Sequence, residues 1–365
     1  MVKNSLKPDE RIQKILISTT SRFVGEYENS NDILLSHAWL NIGNSNIANR
    51  YDENPASRSS YVFVFRVEEP DEVKRVVLPN YAPTGDYICS YLSAFYGKRF
   101  DNHGPTENAG IYSTPDLSIY NTICTHRLPF NSHSIRSCAA VPLNLTHLSL
   151  IENLFTGKSV EDSPISQLET ACKFYRQALQ NAENDPETAY LHLITSGEIL
   201  SGAFDYQKEE LIDESTNLCL KEIEESLENG IKLSNQIRSR IFSVKNKFVL
   251  SICSLIDDQF FAHSESKNNF GIFTEQNFEK SIKSAYDLRS RYVHTGVHFG
   301  GWVKPDQQID DIQHGQPVVD DKQLAKILAH APKFCGLERT IRYCLIKLMG
   351  KCCGVDILKE INKLT

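Results

Sequence analysis

The residues with the clearest chemical potential lie in one short stretch, Tyr286-Asp287-Leu288-Arg289-Ser290-Arg291-Tyr292-Val293-His294-Thr295-Gly296. Arg289 and His294 stand five positions apart, and Gly296 marks a helix end just beyond them. An arginine is a permanent planar cation whose fork of donors matches a phosphate. A histidine can shuttle a proton near neutral pH. Long side chains from neighbouring turns can converge near such a helix end, and His294 falls at the negative end of the helix dipole. Together the two groups can cut RNA without a metal. The imidazole assists the ribose 2′-hydroxyl in attacking the adjacent phosphorus, or protonates the leaving 5′-oxygen. The guanidinium stabilises charge on the phosphoryl oxygens. Spacing alone is a weak signal, because Arg127 with His133 and Arg291 with His298 also satisfy a gap of four to six residues. The plainer reading also stays open: a helix-end histidine bonded to backbone, and an arginine on a solvated face.

Other side chains gain interest from their placement. Glu198 lies in an apolar helical stretch, where a buried carboxylate needs a partner. It can orient Arg289 or His294, or make a structural hydrogen bond. Arg238 and Lys245 are seven apart, as are Arg240 and Lys247, so each pair falls on one face of a single helix; they can follow a phosphate backbone, but solvated helix charges are the plainer reading. Arg291, His298 and Trp302 flank the Arg–His pair, and the indole can stack on a base or fill a core or dimer contact. His192 reads as a satisfied bundle histidine. Lys98 and Arg99 follow Gly97, but no glycine-rich phosphate loop after a clear strand accompanies them.

The elements that must position these groups change in texture along the chain. Residues 1–155 read as a mixed, strand-rich α/β domain. Residues 61–67 are a β-branched and aromatic run of strand length, and residues 75–78 are a second candidate, stopped by Pro79. Residues 15–17 and 38–40 are weaker candidates. Residues 87–96 carry Ile88, Tyr91, Leu92 and Phe95 at helical spacing, with Gly97 as cap. Residues 101–138 read as loops between short elements. Residues 156–365 read as an all-α domain. A helix starts at Ser163-Pro164 with Ile165, Leu168, Cys172, Tyr175 and Leu179 on one face. A second follows Asn184-Asp185-Pro186. Further helices are expected over 221–232, 236–260, 274–295 and 337–349, the last capped by Gly350. The fold class expected is therefore α+β, with the sheet first and a helical bundle after it.

Composition narrows the function. The chain has 365 residues, 41% hydrophobic and 23% charged, and a net charge of −7. Such a balance excludes a disordered or collagen-like chain and argues against a protein that coats nucleic acid. Residues 1–150 hold 14 of the 39 Lys+Arg and 15 of the 46 Asp+Glu, which leaves 25 and 31 for the remainder, so the acidic excess is C-terminal. No apolar run approaches the ~18–20 residues of a membrane helix, and residues 1–7 lack a signal-peptide core. The ten cysteines include no Cys-x-x-Cys pair. They read as reduced structural thiols in the cytoplasm, with neither metal nor disulfide.

The Arg289–His294 stretch resembles the Arg-x4-His signature of the Apea-like branch of the HEPN domains. Ala189-Tyr190-Leu191-His192-Leu193-Ile194-Thr195-Ser196-Gly197-Glu198-Ile199-Leu200 is similar to that branch's helix with an acidic residue between apolar ones. Gly336-Leu337-Glu338-Arg339-Thr340-Ile341-Arg342-Tyr343-Cys344-Leu345-Ile346-Lys347-Leu348 is similar to its final helix. The resemblance spans about residues 160–350, with three segments in order. It implies a helical bundle that forms a homodimer, with the motifs of both subunits around one cleft. It implies a metal-independent endoribonuclease without cofactors, of the kind found in toxin, antiviral-defence or stress-response systems. Such an enzyme cuts tRNA or mRNA to leave 2′,3′-cyclic phosphate ends, and can be held by a regulatory protein partner. Arg289 and His294 match the two motif positions. Ser290 stands where many members have Asn, Asp or His, and silent members serve as RNA-binding modules or protein scaffolds. Residues 1–155 compare only with the variable N-terminal regions of such proteins and would act as a sensor or partner-binding element.

Overall fold

A computed structural model of the chain describes residues 10–29, 32–38, 58–68, 80–108, 111–118, 124–160, 164–207, 210–212, 214–240 and 244–363. Its architecture is α+β. A five-stranded antiparallel sheet is built from β1 (Glu10–Thr19), β2 (Tyr27–Asn29), β3 (Ile33–His37), β4 (Ser59–Glu68) and β5 (Phe100–Pro105), in the order β2-β3-β4-β1-β5. The aromatic, β-branched run expected over 61–67 lies in β4, which pairs with β1 so that Ile15 faces Phe63 and Ile17 faces Tyr61. These four side chains are buried, and helix α1 (Ala82–Tyr96) covers that side of the sheet. The helix starts five residues before the expected position, because Asn80 accepts the amide of Ala82 at 3.0 Å and Pro83 suits a first turn. The strand expected over 75–78 and most of that over 38–40 lie outside the described residues.

The remaining chain is helical: α2 (Glu152–Thr156), α3 (Ile165–Asn181), α4 (Pro186–Ser201), α5 (Glu214–Ser226), α6 (Gly230–Arg240), α7 (Val244–Leu255), α8 (Asp258–Ala262), α9 (Glu275–Thr295), α10 (Lys322–Leu328), α11 (Phe334–Cys353) and α12 (Ile357–Asn362). The expected stripe on α3 is largely inward, with Leu168, Cys172, Tyr175 and Leu179 buried. Asp185 caps α4 by accepting the amide of Thr188.

Three expectations need correction. Residues 221–232 are not one helix: the chain breaks after Ser226 and restarts at Gly230, where a Cβ would lie 2.1 Å from the Ile223 carbonyl oxygen. Residues 236–260 are not one helix either. They span the end of α6, α7 and α8, and Asp257 caps the new start at α8 by accepting the amide of Gln259. The last long helix continues past Gly350 to Cys353, and the left-handed cap falls at Gly354. The periodic pattern located these helices, but local features at their ends, the close approach at Gly230, the Asp257 cap and the left-handed Gly354, set their bounds.

The buried apolar side chains form one continuous cluster running from Ile15 in the sheet to Ile361 in α12, so the core crosses residue 155. α11 lies at its centre and brings three charged side chains into it. Arg339 meets Asp311 through two bonds of 3.0 and 2.7 Å. Glu338 accepts from both Arg136 nitrogens at 3.0 and 2.6 Å and also from the Tyr175 hydroxyl. Arg136 is held from its other side by Glu265. Arg342 donates to the carbonyls of Ala94, Phe95, Cys138 and Ala139. An unpaired charge at such depth would cost several kcal/mol, so pairing is what lets these groups stay inside. Eight cysteines are buried, Cys253 is half-buried and Cys219 is exposed. Among the described residues no helix is long and apolar enough to cross a membrane.

Candidate functional site

Helix α9 presents the motif. Its start is locked by a capping box, in which Thr274 and Asn277 exchange side-chain and backbone bonds. Phe278, Ile282, Ala285 and Leu288 bury its inner stripe. Its end is set by Gly296 in the left-handed conformation, with the Gly296 amide on the Tyr292 carbonyl at 2.9 Å. The anticipated span, 274–295, matches closely because both termini carry their own signals.

α4 and α9 run antiparallel and are clamped at two levels. Glu198 of α4 meets Arg289 of α9, with Oε2 to Nη2 at 3.3 Å. Nearer the α4 start, Glu187 accepts from the His298 ring at 2.5 Å and from the Gly300 amide at 2.7 Å. On its other neighbours α4 packs closely at Gly197: a Cβ there would lie 2.5 Å from Phe248 of α7 and 2.9 Å from Ile341 of α11. The Glu198 side chain is 15% exposed and that of Arg289 is 27% exposed. The guanidinium lies 5.6 Å from the Tyr286 ring centroid, a cation–π contact. Burial, and then the Glu198 charge, push the Tyr286 hydroxyl above its ordinary value. The orienting role considered for Glu198 has its geometric basis in this pair.

His294 is exposed and makes no side-chain bond among the described residues. At 3.6 residues per turn, positions five apart differ by about 140° around a helix. Arg289 and His294 of one chain therefore do not converge on one point; Arg289 turns towards α4 and His294 faces solvent. Ser290, between them, is half-buried and makes no side-chain bond.

The other candidates are largely occupied. Arg291 bonds Asp321, the N-cap of α10, and reaches Gln323 at 3.4 Å. Lys245 bonds Asp287 at 2.6 Å. Arg238 bonds Asn217 and Glu224 within the α5–α6 pair. The seven-residue pairing of Arg238 with Lys245 fails, since these residues lie on different helices. Lys247 is half-buried on α7, and the Arg240 side chain lies outside the described residues. His298 is exposed apart from its bond to Glu187, which raises the imidazole above its ordinary value. Trp302 sits on a short 3₁₀ turn, Gly300–Val303, partly exposed. Lys98 and Arg99 are buried and structural. Lys98 donates to the carbonyls of Pro129 and Ser132, and Arg99 pairs with Asp101. His192 is half-buried, 5.7 Å from the Phe174 ring. Glu187, Asp287 and Asp321, the partners that neutralise this surface, escaped the sequence reading. The only available signal was the first-turn acid after Asp185-Pro186.

Around the motif, then, each of Arg289, Arg291, Lys245 and His298 is matched by one carboxylate. Such a surface does not attract polyanions over a distance, and the Arg289 side chain keeps a solvent-facing edge beside its carboxylate partner. Among the described residues no three His, Cys, Asp or Glu side chains converge as a metal cage. Searches with the chain against protein-family models, curated proteins and solved structures give no match.

Proposed function

We propose that the chain is an RNA-cleaving protein of the HEPN type, a metal-independent endoribonuclease acting as a homodimer. The observation that carries this reading is that the last two turns of α9 hold both Arg289, fixed by Glu198 of α4, and the exposed, unbonded imidazole of His294. In the proposed reaction His294 takes the proton of a ribose 2′-hydroxyl. The 2′-oxygen forms a bond to phosphorus while the bond to the 5′-oxygen breaks, and an imidazolium protonates that leaving oxygen. The products are a 2′,3′-cyclic phosphate and a 5′-hydroxyl. Arg289 neutralises the phosphoryl oxygens. Since Arg289 and His294 of one chain point about 140° apart, the pair that acts on one phosphate takes its partner groups from a second chain.

The test is incubation of the purified protein with tRNA and mRNA in chelator, followed by end-group analysis. Cyclic-phosphate ends that vanish in His294→Ala support the reading; an unchanged rate in His294→Ala refutes it.

A second reading, a silent module that holds RNA or scaffolds a partner, is favoured by one observation: the neighbouring cations already have carboxylate partners. Retention of RNA without cleavage would select it.

A further inference from the structure

The apolar face of the sheet that α1 covers is filled along most of its length, where Ile15, Ile17, Tyr61 and Phe63 are buried. Towards the far end of β4 the filling stops. Phe65 and its cross-strand neighbour Ile33 are only half-buried, as are Tyr87 of α1 and Phe155 of α2. These four side chains line a cavity of about 360 Å³ between β3, β4, the first turns of α1 and the end of α2. Such a volume is at the small end of the range for ligand sites, which are mostly apolar with a few placed polar groups.

The walls are braced from behind. Phe63 and Phe65, two apart on one strand, share a face and stack at 5.3 Å. The Tyr87 hydroxyl donates to the Leu154 carbonyl at 3.0 Å. The buried Tyr91 ring lies edge-on to both Tyr87 and Phe155, at 4.8 and 5.8 Å. Aromatic walls held in place in this way favour a planar aromatic guest, which offers offset or edge contacts to each ring.

The polar lining sets the charge of that guest. Three charged residues line the cavity: Asp32, Arg66 and Lys158. Arg66 is taken, held by Glu10 at 2.8 Å and lying 3.7 Å from Asp32. Lys158, just past α2, is exposed and makes no side-chain bond among the described residues. Thr84 also lines the cavity without a side-chain bond. It stands in the first turn of α1, a helix of 15 residues with no acidic residue in that turn. An unpaired ammonium and the positive end of a helix dipole at one cavity both favour an anion.

We propose that this cavity binds a small planar aromatic anion, its ring against Phe65 and Tyr87 and its anionic group on Lys158 and Thr84. A nucleoside monophosphate and an aromatic carboxylate share that chemistry. The site lies in the sheet-bearing part of the chain and does not rest on the ribonuclease reading.

Isothermal titration calorimetry on the full chain tests it with adenosine 5′-monophosphate and with indole-3-acetate, each beside its uncharged counterpart, adenosine and indole-3-acetamide. At least one anion is expected to bind with a Kd below about 1 mM, and its uncharged counterpart at least about tenfold more weakly. Binding of the first anion alone assigns a nucleotide, and of the second alone an aromatic acid. Lys158→Glu, at an exposed position, is expected to weaken binding about tenfold or more by reversing one charge, with circular dichroism and melting temperature unchanged. Phe65→Leu keeps most of the apolar volume but removes the ring, and should weaken binding about tenfold, the size of one lost stacking contact. Absence of binding by either anion at about 1 mM overturns the inference. So does equal binding of the charged and uncharged members, or binding that survives Lys158→Glu.

Discussion

Glu198 and Arg289 meet at 3.3 Å across two antiparallel helices, one from each end of the helical region, 91 residues apart in the chain. The carboxylate holds a half-buried guanidinium that also lies 5.6 Å from the Tyr286 ring centroid. In the proposed reaction Glu198 is a positioning residue. Glu198→Ala is expected to slow single-turnover RNA cleavage about tenfold to a hundredfold, the size typical of a misplaced contact. Glu198→Gln, which keeps an acceptor, should recover part of the rate. Equal rates in all three proteins would remove Glu198 from the mechanism.

Gly197, the residue before Glu198, sits where α4 packs closely on α7 and α11. With Phe248 and Ile341 already in the space of a side chain, Gly197→Ala should cost about 1–3 kcal/mol by overpacking. Urea unfolding measures the loss. The same change should perturb Arg289 more than His294, which is read by comparing binding of a short RNA before and after the substitution. Wild-type stability in this variant would mean that α4 can shift without strain.

The second clamp responds to pH. Glu187 raises the His298 imidazole above its ordinary value of about 6.5. A raised folded-state value means that the folded chain holds this proton more tightly. The contribution to stability is then complete below about pH 6.5 and is lost as pH rises through the raised value. The His298 ring resonances, followed by NMR, should titrate above the free-histidine value and return to it in Glu187→Gln. A normal titration in the wild-type chain contradicts the clamp.

The buried network around α11 makes a larger demand. Glu338 neutralises Arg136 and also accepts from Tyr175. Burial works against the charge on Arg136, but Glu265 and Glu338 outweigh it and hold the guanidinium protonated. Glu338→Ala leaves part of that charge unmatched inside the core, and should cost about 3–5 kcal/mol in urea unfolding. A loss under about 1 kcal/mol, the range of exposed pairs, would mean that water reaches the site.

Periodicity and end signals made much of this molecule legible. The stripe Phe278, Ile282, Ala285 and the glycine at 296 located α9 almost to the residue, since each works through neighbours in sequence. The breaks at 227–229 and at Asp257 were harder, because apolar spacing runs on across them while the caps do not. Glu198 was visible as a carboxylate in apolar company, but its partner was one of two possibilities until the helices were placed.

By itself, the order of residues determined the α+β class and the main helical faces, and it singled out Arg289 and His294 for the proposed chemistry. All of that follows from contacts a few residues long, or from alternation of polar and apolar side chains. Only the tertiary structure decided that Arg289 faces Glu198, that Arg291, Lys245 and His298 each have a carboxylate, and that Glu338, Arg339 and Arg342 lie in the core. Those pairings join residues tens to hundreds of positions apart. They depend on how closely helices approach, as at Gly197, and no local pattern encodes that distance.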